Sequence, residues 1–283
     1  MSPGGGSPAG KSLKTERKGE VEMKKWSVLL IAVLVFAATT MVPAAQAVEV
    51  EGDVYVGVYD KYLWRGINLS GSQPVLQGGV DLSAKGFTVS YWTNVQLSHS
   101  SQGDIDTDGD GINDTSVLDG DEATETDIIL DYSFDVNDLL SVSIGDIYYT
   151  FNVPGSTHEL YLGASLNTLL APSFTVYYDW DAANEADLDG LFYTAAIEHG
   201  FELSDSLGLT LGALASYNQE SPFLGDYSDF HNYELSASLD YALSDNLGLS
   251  ASFLYSDALS DDAEDIGAIE DETVAGLSIA FNF

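Results

Sequence analysis

The chain closes with Val274-Ala-Gly-Leu-Ser-Ile-Ala-Phe-Asn-Phe283, ten residues with a period of two. Ala275, Leu277, Ile279, Phe281 and Phe283 fall on one face, and Gly276, Ser278, Ala280 and Asn282 on the other. Successive side chains of a strand point to opposite sides, so this stretch reads as a strand with one apolar and one small or polar face.

The same pattern recurs back through the chain. Working outward from the end, period two and turn residues predict strands over 247–255, 231–243, 207–218, 191–203, 173–180, 158–167, 140–151, 126–134, 87–98, 75–83 and 53–65. The first has Val54, Val56, Val58, Tyr62 and Trp64 on its apolar side and Tyr55, Gly57, Tyr59, Lys61 and Arg65 on the other. In the segment 140–151 the alternation slips at Gly145-Asp146, which predicts a bulge. Reading these segments as helices would put glycines and β-branched residues into helix interiors.

The connections alternate in length. Ser83–Gly86, Asp135–Asp138, Thr168–Pro172, Ser204–Ser206 and Ser244–Asn246 are short, whereas 66–74, 99–125, 152–157, 181–190, 219–230 and 256–272 are longer or more polar. The prolines after residue 48, at 74, 154, 172 and 222, fall at these breaks, where a missing N–H costs least. Aromatic residues gather near strand ends on the apolar faces: Tyr62 and Trp64, Tyr178 and Trp180, Tyr217, Phe253 and Tyr255. A water-soluble sandwich also alternates, but an aromatic girdle with one-sided short turns is the pattern of a membrane barrel. A closed barrel is also the sheet that crosses lipid without an unpaired edge. The fold expected is an all-β, 12-stranded antiparallel transmembrane β-barrel, with short periplasmic turns and longer extracellular loops. The terminal Phe283 resembles the insertion signal of bacterial outer-membrane barrels, and so implies recognition by the barrel-assembly machinery.

The other end agrees. Met23-Lys-Lys-Trp26 is a basic start, Ser27–Val42 is almost wholly apolar, and Ala45-Gln46-Ala47 is an A-x-A cleavage site, the features of a secretory signal peptide. The expected organisation is an unstructured extension over 1–22, a signal peptide over 23–47 and a barrel over 48–283, with 99–125 a long acidic extracellular loop. Six of the nine Lys and Arg and three of the 45 Asp and Glu precede residue 48. Three bases therefore face 42 acids in the barrel, a formal charge of −39. Nucleic acid, which needs a basic face, is excluded as a partner. The lack of cysteine removes disulfides, thiolate catalysis and Cys metal sites.

Tyr62-Leu-Trp-Arg-Gly-Ile67, Gln73-Pro-Val-Leu-Gln-Gly-Gly-Val-Asp81, Gly86-Phe87 and Trp92-Thr-Asn-Val95 resemble the opening signature of a bacterial family of conserved hypothetical exported proteins, the Gcw_chp family. The likeness covers residues 53–97. It implies an outer-membrane barrel and assigns no activity.

Two features bear on function. Asp106-Thr-Asp108-Gly-Asp110-Gly-Ile112-Asn-Asp114 has carboxylates at positions 1, 3, 5 and 9 of a calcium-type loop, Gly111 at the sharp turn and the Ile112 carbonyl at position 7. Position 12, normally a bidentate Glu, is Val117. The alternatives are a weak calcium site, with a Kd of ~10⁻⁴–10⁻³ M, and a solvated acidic loop. Second, if the apolar faces meet lipid, the opposite faces place Lys61, Arg65, Asp81, Asp127, Asp131, Glu159, Asp179, Glu198, Glu234 and Asp240 around the lumen. Acidic linings favour cations. So few bases cannot pair all these acids, which implies a wet lumen, with Lys61 and Arg65 near a constriction. The loop aromatics Phe223, Tyr227 and Phe230 either fold inward or cap the barrel.

Catalysis is not expected. Of the histidines, at 99, 158, 199 and 231, His158 and His199 are placed to face lipid but have no evident cross-strand serine partner, and the chain has no G-x-S-x-G elbow. The function expected is passive, cation-favouring diffusion of small solutes through a porin-like channel in the bacterial outer membrane. The alternatives are a structural or adhesion barrel with calcium-ordered loops and, more remotely, an outer-membrane lipid hydrolase.

Overall fold

The computed structural model describes residues 48–71, 73–97, 123–151 and 155–283. The barrel wall consists of β1 (Glu51–Tyr59), β4 (Val75–Ala84), β5 (Phe87–Gln96), β6 (Ala123–Asp135), β7 (Leu140–Phe151), β8 (Ser156–Leu166), β9 (Ser173–Asp179), β10 (Leu191–Ser204), β11 (Leu207–Gln219), β12 (Ser228–Ser244), β13 (Leu247–Ala258) and β14 (Glu272–Asn282). Each wall strand pairs with its sequence neighbours, and β1 pairs with β14 as well as β4, so twelve antiparallel strands close on themselves. Val54 faces Phe281 on one side and Val80 on the other. Closure leaves no wall strand with a free edge.

The outward faces are apolar. Val54, Val56 and Val58 on β1, Leu160 and Leu162 on β8, and Leu277, Ile279 and Phe281 on β14 are all exposed, Leu277 to 69%. Water-soluble monomers rarely expose a continuous apolar patch beyond a few hundred Å². A belt of this kind is suited to lipid, and the residues between these positions point inward.

The inner wall is kept open where tyrosines lie flat on glycines. Tyr59 sits directly opposite Gly276, and a Cβ added at Gly276 would lie 2.1 Å from the Tyr59 ring. Tyr161 sits opposite Gly145, where an added Cβ would lie 2.4 Å from the ring. Only glycine permits so close an approach.

The first strand does not run to Arg65: β1 stops at Tyr59, and β2 (Leu63–Trp64) and β3 (Ile67–Asn68) form a separate two-stranded hairpin. Tyr62 and Trp64 are therefore not part of the lipid-side girdle; Tyr62 is 7% exposed, inside the barrel. Nor does β7 bulge at Gly145-Asp146, since its register against β6 and β8 is unbroken. Real bulges lie elsewhere. β6 also starts at Ala123, inside the stretch expected to be loop.

The longer loops carry two short helices, α1 (Ala182–Ala186) and α2 (Asp261–Asp265). Asp179 accepts from the Thr157 hydroxyl at 2.8 Å and from the backbone N–H of Asp181 and Ala183, which ties the α1 turn to the rim. Ser260 caps α2 by accepting from the Ala263 N–H. Ala263 and Ile269 are buried with Tyr227, and Ile67 of the hairpin packs on them. Phe223 and Phe230, by contrast, remain 61% and 57% exposed. Of the three loop aromatics, Tyr227 alone turns into the barrel mouth.

Candidate functional site: a hairpin across the lumen

The hairpin follows from its turn. Arg65 and Gly66 are its two loop residues, both with positive φ (49° and 81°), the two-residue geometry whose twist suits a tight hairpin. Ser70 staples its base, accepting from the Tyr62 N–H at 2.7 Å and donating to the Gln73 carbonyl at 3.0 Å. The Leu69 N–H reaches the Tyr62 carbonyl at 2.8 Å.

Side chains from around the wall grip this hairpin. Glu272 of β14 accepts from Lys61 Nζ at 2.5 Å and from Asn68 Nδ2 at 2.8 Å, so one carboxylate holds both arms. Tyr62 donates its hydroxyl to Glu125 of β6 at 2.9 Å. Arg65 Nη2 donates to both Glu159 oxygens on β8, at 2.9 and 2.7 Å, and Tyr149 of β7 donates to the same carboxylate at 2.9 Å. The guanidinium also lies over the rings of Trp64, Tyr177 and Phe192, 4.1–4.9 Å from their centroids. Burial would lower the Arg65 pKa, but the Glu159 carboxylate and the Tyr149 hydroxyl outweigh it and hold the group charged.

Two β-bulges aim residues at the hairpin. On β12, His231 and Asn232 together oppose the single Ser216 of β11, between the pairs Ala215–Tyr233 and Tyr217–Phe230. Both consecutive side chains therefore turn inward, 0% and 1% exposed. His231 Nε2 meets the Arg65 carbonyl at 2.7 Å, and its Nδ1 bonds the Tyr227 hydroxyl. On β6, Thr124 is the extra residue against Asn94 and Val95 of β5, and Thr124 and Glu125 both turn inward. Asn94 donates to Thr124 at 2.7 Å, which leaves Glu125 for Tyr62.

The hairpin and its anchors fill the long-loop end of the barrel, where Val75, Tyr149, Phe192, Asn218 and Ser256 are also buried. Beneath it lies a cavity of about 530 Å³. The residues expected around the lumen divide accordingly. Lys61, Arg65 and Glu159 are the ion pairs of the hairpin, and Asp179 is spent on the α1 turn. Asp127 and Glu198 line the cavity, and Glu234 accepts from Asn232 at 3.1 Å. Lower on the wall, Asp131 accepts from Tyr161 at 2.5 Å, Asp240 accepts from Ser238 at 2.8 Å, and Asp81 sits opposite Asp53. Glu125 and Glu272 fall just outside the expected strands and His231 sits at a bulge, so alternation does not single them out; Asp53 has the inward parity of Tyr55. The Arg65-Gly66 pair between Leu63-Trp64 and Ile67-Asn68 is the available signal for the hairpin.

The other described histidines face away from the lumen. His158 Nδ1 lies 2.9 Å from Asp146, and its ring stacks between Tyr148 and Trp180. His199 Nδ1 lies 2.7 Å from the Leu169 carbonyl. The residues expected to bind calcium (Asp106, Asp108, Asp110, Ile112 and Asp114), the expected signal peptide and His99 lie outside the described residues.

No protein-family model and no curated protein matches the chain. The likeness of residues 53–97 to Gcw_chp proteins accordingly stays a resemblance. Solved structures do match. The NanC porin is 12% identical with a TM-score of 0.51, over 81% of this chain and 98% of its own. An outer membrane channel from Pseudomonas putida F1 is 11% identical with a TM-score of 0.49, over 86% and 98%. The KdgM porin, solved with disordered oligogalacturonate, is 12% identical with a TM-score of 0.48, over 82% and 99%. At 12% identity the property shared with the NanC porin is the fold, a closed antiparallel β-barrel.

Proposed function

We propose that this chain is an outer-membrane, porin-like channel for passive diffusion of small solutes, cation-favouring, with the hairpin of residues 60–74 narrowing its extracellular mouth. The observation that carries this reading is the charge balance inside the barrel. Both inward bases are neutralised, Lys61 by Glu272 and Arg65 by Glu159. Asp53, Asp81, Asp127, Asp131, Glu198, Glu234 and Asp240 make no ion pair with a base among the described residues. A lumen of uncompensated carboxylates attracts cations and repels anions. The apolar outer belt and the fold shared with the NanC porin support the location.

The test is single-channel recording of the refolded protein in planar bilayers across a KCl gradient. Steady conductance that reverses toward the potassium potential supports the reading. A calcium-ordered 99–125 loop is a separable part of it, tested by repeating the recording with calcium and with a chelator.

A second reading, a structural or adhesion barrel, is favoured by one observation: the extracellular end is packed by the hairpin and by Tyr227, Ala263 and Ile269. A protein that inserts and shifts on a gel when heated, yet never conducts, would select it.

A further inference from the structure

We infer that the cavity beneath the hairpin is a binding subsite for a small organic cation, an ammonium group on an apolar body, held by Asp127 and the aromatic rings around it. The inference rests on the channel reading for its physiological meaning, though not for its chemistry.

Asp127 projects from β6 into the cavity. It is 7% exposed, and its Oδ1 is buried without a hydrogen-bond partner among the described residues. A buried carboxylate oxygen left unpaired costs free energy, so natural structures leave one where something else satisfies it. Lys61 also reaches the cavity, but its ammonium is held by Glu272. Glu198, the other acid on the lining, adds negative charge. An entering cation therefore meets no free base on this lining.

The rest of the wall decides which cation. Tyr62 and Trp92 present tilted rings with centroids 5.6 Å apart, and Trp64 and Tyr149 meet edge-on at 6.4 Å. All four line the same space as Asp127. Metal ions need several oxygen or nitrogen ligands at once. Among the described residues no cluster of three or more His, Asp or Glu could hold one. One carboxylate among aromatic faces suits a weakly hydrated organic cation, attracted by the ring quadrupoles and by a single charge. The cavity volume of about 530 Å³ admits such a molecule.

The test is calorimetric titration of the refolded full barrel in micelles with choline, with its neutral isostere 3,3-dimethylbutanol, and with glucose. Choline binding at least about tenfold tighter than the isostere is expected, with about a tenfold loss in Asp127→Asn and a comparable loss in Trp92→Leu. Equal affinity for choline and the isostere, or binding of glucose alone, would overturn the assignment. So would an Asp127→Asn variant that keeps its heat-shift on a gel and binds choline like the parent. The titration requires no conduction. Choline binding without conductance would remove the channel reading alone, and conductance without choline binding would remove the subsite alone.

Discussion

One nitrogen of Arg65, at the tip of a hairpin inside the barrel, donates to both carboxylate oxygens of Glu159, 94 positions along the chain on the opposing wall. That contact turns the connection between β1 and β4 into a crossbar over the lumen. Both side chains are nearly excluded from water, so bulk solvent screens the pair little.

Replacing Glu159 with Ala strands the buried guanidinium. Breaking such a pair costs about 3–5 kcal/mol, much of it the penalty of the charge left behind. The hairpin should then leave its seat, with larger and noisier single-channel conductance and faster proteolysis between residues 60 and 74. Urea unfolding in micelles measures the loss of stability. An unchanged conductance would mean that the hairpin does not narrow the passage.

His231→Phe keeps a ring against Phe192 but removes both nitrogens. The Arg65 carbonyl and the Tyr227 hydroxyl would each lose a partner. A buried polar group left unsatisfied costs about 1–3 kcal/mol. A lowered midpoint for the heat-induced gel shift is expected, smaller than that of Glu159→Ala.

How much of this was readable from the sequence depends on what period two can and cannot encode. The segment 140–151 was delimited by its alternation and turns, and β7 has those bounds. At Val58-Tyr-Asp-Lys-Tyr-Leu-Trp64 the apolar parity of Val58 breaks at Asp60, next to the bend, and resumes at Tyr62 and Trp64, because the hairpin arms are strands too. Alternation indicates a strand and leaves open which sheet receives it, so Tyr62 and Trp64 were assigned to lipid. The bulges fail for a related reason. His231-Asn232 and Thr124-Glu125 each send two consecutive side chains inward, where a period-two reading must send one outward. Period two cannot place His231 inward, because the β12 bulge reverses its side, whereas Glu125 shares the parity of Asp127 and lies just before the expected strand start at 126.

Gly276→Ala tests the flattened tyrosines. The added methyl would lie 2.1 Å from the Tyr59 ring, so the ring must swing off the wall into the lumen. Lower conductance with retained insertion is expected. The double variant Gly276→Ala with Tyr59→Ala should restore conductance to the parental level or above.

The two faces of the wall should respond oppositely to charge. Leu277 on the outer face is 69% exposed, whereas Ser252 lines the cavity. Arg at position 277 should destabilise the inserted barrel by about 2–4 kcal/mol if that site lies near the bilayer midplane. Arg at position 252 should be tolerated for folding and should weaken cation preference. Chemical unfolding in lipid vesicles reads the first effect, and the reversal potential the second.

The most direct measurement is the reversal potential of the single-channel current across a KCl gradient, taken for the parent protein and for a variant in which a short Gly-Ser turn replaces residues 61–73. In the parent, steady current reversing toward the potassium potential is expected. In the variant, larger conductance with the same sign of selectivity is expected, because the wall carboxylates remain. A parent that inserts without conducting, or reverses toward the chloride potential, would contradict a cation-favouring channel narrowed by its own hairpin.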